Sequence, residues 1–329
     1  MGPSFDFNGN SFSAGPNSTP TVDGNLVYGL GSQGILVCAD ANSGKIVWKK
    51  NLPQELKGEV NPIGGGPDKM GWGYSWSPLI DGEKLICVPG GPQGLLAALN
   101  KKTGEVLWRS AEITYQAPYA SPLQATFHGQ KTVVQITQTG CVGANPENGK
   151  KLWEFKRESP YPDVVCTTPV ISGNLVFTSA GFGAGSDCLK INKSGSQFTA
   201  DAVYSKKDIA NDNGGIVLVG KHVYGFHLRR AWECLELETG KVAWTAPRRA
   251  LGAGSVCVAD GRLYLLTEDA GEIAMLAASP EGYKEISKFT LPELSKIRKS
   301  RGRIWTHPVI SNGHLYIRDQ ELLFCFDIR

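Results

Sequence analysis

The chain has 329 residues and an apolar fraction of 41%, enough for a packed core in one large domain or two modest ones. Lys+Arg 34 against Asp+Glu 31 leaves a formal charge of +3, which excludes a whole-molecule polyanion binder and leaves any basic preference to a local patch. No apolar run approaches the roughly 18–20 residues of a membrane helix, and Met1-Gly2-Pro3-Ser4-Phe5-Asp6 has neither the basic start nor the apolar core of a signal peptide.

The 40 glycines stand well above the ordinary share of about 7% and point to many tight turns between short elements. In chain order, four strings repeat one pattern: Thr19-Pro20-Thr21-Val22-Asp23-Gly24, Ser77-Pro78-Leu79-Ile80-Asp81-Gly82, Thr168-Pro169-Val170-Ile171-Ser172-Gly173 and His307-Pro308-Val309-Ile310-Ser311-Asn312-Gly313. Each predicts a strand, a two-residue turn that needs positive φ angles, and a second strand. A second hairpin follows in most repeats, with Gly44, Gly104, Gly149 and Gly240 at the turn and Trp48, Trp108, Trp153 and Trp244 four residues on. There the Asp or Asn that opens the turn bonds turn amides, and the Trp on the outer strand covers the seam between neighbouring sheets.

Four strands recurring about every 45 residues define a propeller blade. The expected blades lie at 18–51, 76–111, 120–157, 167–206, 214–247 and 254–291, with a last, incomplete unit at 306–329. The fold class is therefore all-β: a β-propeller of seven four-stranded repeat units in a single domain, 1–329. The last unit lacks its outer strand. This implies either a truncated eight-bladed ring or a patch by residues 4–12, and an open edge at Leu322–Phe326 through which the chain self-associates. The eight cysteines show no Cys-x-x-Cys pair and no adjacent pair, and most lie in apolar strand-like strings, so they are expected to be buried thiols and not zinc ligands.

These features resemble the PQQ-like β-propeller repeat proteins, the broad group that holds quinoprotein alcohol dehydrogenases and the outer-membrane assembly lipoprotein. The marks that carry the resemblance are the Asp-x-x-(Ser/Thr)-Gly-Lys-x-x-Trp turn, the stretch Gly71-Trp72-Gly73-Tyr74-Ser75-Trp76-Ser77-Pro78, and the ending from Arg318-Asp319-Gln320-Glu321 to Cys325-Phe326-Asp327. It is similar to secreted bacterial members, which implies a periplasmic or extracellular location with the export signal on a part absent from this chain.

In such a fold, loops entering the inner strands and loops joining second to third strands share one face, where a ligand site sits near the axis. That face would carry Trp72, Tyr74, Trp76, Tyr119, His227, Arg229, Arg230, Arg303, Trp305, His307 and Arg318. The aromatics read either as loop packing or as a platform for a sugar or quinone ring, and His307 as a structural histidine or as a ligand or base. The arginines predict a net positive sector, with Arg229, Arg230 and Arg303 nearest the axis, unless Glu268, Asp269, Asp319 and Glu321 pair with them.

Two functions compete. The first is a non-enzymatic binding or scaffolding propeller of the bacterial cell envelope, with no cofactor, taking a protein or glycan, anionic if the basic sector is open, and no nucleic acid. The alternative, implied by the resemblance, is a PQQ-dependent dehydrogenase acting on alcohols or sugars, with calcium beside the quinone. Against it, the sequence has no adjacent Cys pair, and only scattered oxygens such as Asp163, Asp212, Asn213, Glu268 and Asp269 could hold calcium.

Overall fold

The structure, a computed structural model, describes residues 11–12, 17–63, 70–158, 164–227 and 231–329. These residues form seven antiparallel sheets, each a blade of a β-propeller. Six blades have four strands in sequential order, and the last has three, Val309–Ser311, His314–Asp319 and Leu322–Asp327. The repeat therefore dictates the fold as expected, including the incomplete seventh unit. Residues 4–10 of the segment considered as a patch lie outside the described residues, while Ser11 and Phe12 lie against the loop before the last blade, where Arg301 N donates to Ser11 O at 2.9 Å.

The chain divides into two compact units. One comprises residues 1–10, 14–169 and 190–201, and so holds the first three blades; the other comprises 11–13, 170–189 and 202–329. In the first, the largest buried cluster runs from Tyr28 and Leu36 through Leu85, Ile86 and Leu99 to Val133 and Val142. In the second, buried clusters centre on Tyr224, Trp232, Leu263 and Leu265, and on Leu266, Ile273, Leu315 and Ile317.

The second hairpin acts as the sequence implies in several four-stranded blades. Asp40 Oδ1 accepts from Ser43 N at 2.8 Å, and Asn100 Oδ1 accepts from Lys102 N at 2.9 Å, so these polar side chains close their own turns. In five blades a register shift falls in the third strand where it meets the fourth, at Cys38/Ala39, Ala98/Leu99, Gly143/Ala144, Cys234/Leu235 and Met275/Leu276. Such a bulge twists the outer strand and re-aims its side chains. The tryptophans then reach the next blade: Trp48 Nε1 donates to Lys101 O at 2.9 Å, Trp108 Nε1 to Pro146 O at 3.0 Å, and Trp244 Nε1 to Ser279 O at 2.7 Å. Gly104, at φ +73, is needed twice, since a Cβ there would also lie 2.8 Å from the Trp48 ring.

Five of the eight free cysteines are buried, as expected; Cys166 and Cys257 are partly so and Cys325 is exposed on the last strand. One element was not anticipated, a short helix at Leu52–Leu56. Asn51 caps it by accepting from Gln54 N, and Glu55 returns a bond from Asn51 N at 2.7 Å, a reciprocal cap.

Candidate functional site

The residues singled out as a binding face separate into two groups. In the first unit, Tyr74 and Trp76 are completely buried and Tyr119 nearly so, with Trp72 half-buried. Tyr74 and Trp76 meet edge to face at 6.4 Å, Tyr74 Oη donates to Pro89 O at 3.0 Å, and Tyr119 Oη donates to Ile63 O at 2.9 Å while accepting from Trp72 N. The geometry of Tyr74 and Trp76 is that of loop packing: with no exposed ring face they offer no platform to a ligand.

In the second unit the structure gathers a different set. A cleft of about 110 Å³ is lined by Asp212, Asn213, Phe226, Gly254, Glu268 and Trp305, with Asn211, Gly214 and Ala253 completing its wall. Three loops converge there: the entry to the fifth blade (211–214), the turn between second and third strands of the sixth (268), and the entry to the seventh (305). Their approach depends on missing side chains. A Cβ on Gly214 would lie 1.8 Å from Gly254 O, and one on Gly254 would lie 1.8 Å from Leu266 O.

Glu268 is the hub of the cleft. Its amide donates to Ala253 O at 2.8 Å, its carbonyl accepts from Ile304 N at 2.9 Å, and its Oε2 accepts from Trp305 Nε1 at 2.9 Å. Burial pushes its carboxyl above the ordinary range, with Asp269 and Asp212 adding to the rise while the Trp305 bond and Arg303 oppose it. The folded state therefore binds this proton more tightly than the unfolded chain. Above the folded pKa the ionised group carries its full penalty, which is relieved as the pH falls towards the ordinary carboxyl value. Glu268→Gln keeps an acceptor for Trp305, so it is expected to be no less stable than the parent at neutral pH. Urea midpoints measured from pH 7 to 4 should show the parent gaining relative to this variant as the pH falls.

Asp212 Oδ1 accepts from Phe182 N at 2.9 Å and lies over Gly181, whose Cβ would meet that oxygen at 1.5 Å. The sequence offers Asp212 and Glu268 as candidate calcium oxygens and Glu268 also as a partner for the arginines. The close approach that Gly181, Gly214 and Gly254 allow is a property of the fold and carries no local sequence signal.

Of the remaining residues, His307 keeps a solvent-accessible face, yet its ring lies against Gly215, where a Cβ would be 2.5 Å from Cε1. The surrounding protein pushes its pKa below the ordinary histidine value, against hydrogen bonds to the backbone of Val256 and Asn213. His227 is buried with Nε2 3.8 Å from Glu233 Oε2, and Glu233 Oε1 accepts from Thr245 Oγ1 at 3.0 Å. Arg229, Arg230 and Asp163 lie outside the described residues.

The basic sector is weaker than the arginine count implies. Arg303 pairs with Asp269, the almost fully buried Asp319 pairs with Arg298, and Arg318 spends its Nε on Gln320 O at 3.0 Å. Both acids are among those named as neutralisers, and the cleft between these loops carries carboxylates. Arg303 and Asp269 are 39% and 70% exposed, so a double-mutant cycle on them should return a coupling below about 1 kcal/mol that shrinks with added salt.

Fold and repeat define the class, a β-propeller built from PQQ-type repeats. Residues 4–246 match the family of the outer membrane protein assembly factor BamB, and the chain belongs to that family. It is 24% identical over 241 residues to the outer membrane protein assembly factor BamB of Shewanella oneidensis, an alignment covering 69% of this chain and 56% of that protein. It is also 24% identical over 179 residues to the 1-butanol dehydrogenase (quinone) of Thauera butanivorans, covering 52% of this chain and 26% of the enzyme. The chain thus spans about half the length of the first of these curated relatives and about a quarter of the second. Among solved structures, BamB from Moraxella catarrhalis superposes with a TM-score of 0.64 at 14% identity, covering 94% of this chain and 81% of that one, a likeness of fold.

The quinone implied by the dehydrogenase resemblance does not fit the cleft. Its volume of about 110 Å³ falls below the range of about 300–1,000 Å³ usual for cofactor pockets. Among the described residues no three His, Cys, Asp or Glu side chains converge as metal ligands. No helix among them is long and apolar enough to cross a membrane.

Proposed function

We propose that this chain is a binding scaffold of the bacterial cell envelope, located in the periplasm and engaging a protein partner of outer membrane protein assembly through the loops around Glu268 and Trp305. The observation that carries the reading is the family membership over residues 4–246. It is supported by a cleft that suits the side chain of a partner better than a ring cofactor. The similarity to quinone-linked dehydrogenases is the specific observation in favour of a second reading, a PQQ-dependent oxidoreductase of alcohols or sugars.

One paired experiment separates them. The chain is mixed with the soluble domains of the outer membrane assembly machinery from its own organism and analysed by gel filtration. In parallel it is loaded with PQQ and calcium and assayed for dye reduction across common alcohols and aldoses. A stable complex without turnover is the expected result. Turnover with no complex would establish the dehydrogenase.

A further inference from the structure

The cleft in the second unit has a chemistry that narrows what can enter it. Glu268 is fixed at three points, by its own amide, its carbonyl and Oε2, and its second oxygen, Oε1, has no hydrogen-bond partner among the described residues. A rigid, desolvated acceptor asks for a donor, and a charged donor is favoured most because it offsets the buried carboxylate. Trp305 and Phe226 add aromatic surface to the same wall. The aromatic cluster here already takes one guanidinium: Phe12 packs on Trp305 at 6.2 Å, and the Arg301 guanidinium lies over the Phe12 ring at 5.9 Å. The volume holds the head of a side chain and no ring system.

We propose that this cleft is a receptor for a single guanidinium group, the end of an arginine side chain on a protein partner, bonded by Glu268 and stacked on Trp305. The inference rests on the scaffold reading and names what that surface takes. A guanidinium suits the place better than an ammonium, because its plane stacks on an indole while its edge donates to a carboxylate. Among the described residues, the charged groups acting on Glu268 are Asp269 beside it, Arg303 from the loop before the seventh blade, and Asp212 from the loop before the fifth. Arg303 is engaged by Asp269 at the rim. Binding should tighten as the pH rises and Glu268 ionises, since the cation and the proton compete for one carboxylate.

The probe is N-acetyl-arginine amide, set against its neutral citrulline isostere, with tryptophan fluorescence as one readout and the carboxyl carbon shift of Glu268 by NMR as a second that needs no mutation. Saturable binding of the arginine compound, at least tenfold tighter than the citrulline compound, is expected. It should fall at least tenfold in Glu268→Gln, and the fluorescence change should vanish in Trp305→Phe. Equal binding of the two compounds, no saturable response to either, or an unmoved Glu268 carboxyl signal overturns the proposal. Its failure is distinguishable from failure of the scaffold reading: if Glu268→Gln still forms the partner complex on gel filtration, the scaffold stands without this receptor.

Discussion

Replacing Trp76 by alanine is expected to cost about 3–5 kcal/mol, the range for deleting a fully buried large aromatic. The ring is 0% exposed, meets Tyr74 edge to face and belongs to the largest buried cluster of its unit. The same truncation at Trp305, which is half-buried, should cost only about 1–2 kcal/mol, mostly the hydrogen bond to Glu268. Urea unfolding of the two variants checks the contrast. If Trp76→Ala proved as mild as Trp305→Ala, Trp76 would have to be returned to the list of surface residues.

The second large effect is expected at Gly254. A methyl group there would lie 1.8 Å from Leu266 O and 2.8 Å from Thr267 Cα, both backbone atoms that cannot rotate away. Overpacking ordinarily costs 1–3 kcal/mol; with two paired strands forced apart, Gly254→Ala should exceed about 3 kcal/mol. It should also open the cleft, because Gly254 forms part of its wall. Gly252→Ala is the control: its nearest neighbours are Thr267 side-chain atoms at 3.7 and 3.8 Å, ordinary contacts, so its effect should stay below about 1 kcal/mol. Thermal unfolding and soluble yield compare the pair.

The sequence was legible where local chemistry repeats. Asp-Gly turns, the polar residue that closes each second hairpin and the Trp four residues beyond Gly44, Gly104 and Gly240 recur, and each recurrence reinforces the others, so blade count and the three-stranded end were readable. The site was less so. Trp305 and Arg303 belong to it or its rim, but Tyr74 and Trp76 share their sequence flavour and are core. Exposure of an aromatic is decided by what folds over it, which a loop string does not encode. Glu268 was missed as the hub because its importance comes from contacts 15 and 36 residues away, to Ala253 and Ile304. The arginine sector was legible as charge and as two alternatives, open or paired; the pairing of Arg298 with Asp319 and Arg303 with Asp269 is a property of loop geometry.

The tryptophan bonds across the seams give the array a direction. Trp48 and Trp108 each hook forward onto the turn that follows, and Trp244 does the same onto Ser279, so the second blade carries both a hook, Trp108, and an eye, the turn at Lys101. A duplicate of that blade therefore brings both halves of its own fastening, and can be inserted beside its parent without inventing a new contact. An eye that is spoiled injures the blade before it: a bulky residue at Gly104 strikes Trp48, and one at Gly149 strikes Trp108. Damage at these two turns is therefore passed upstream along the chain, to the blade that was folded onto them.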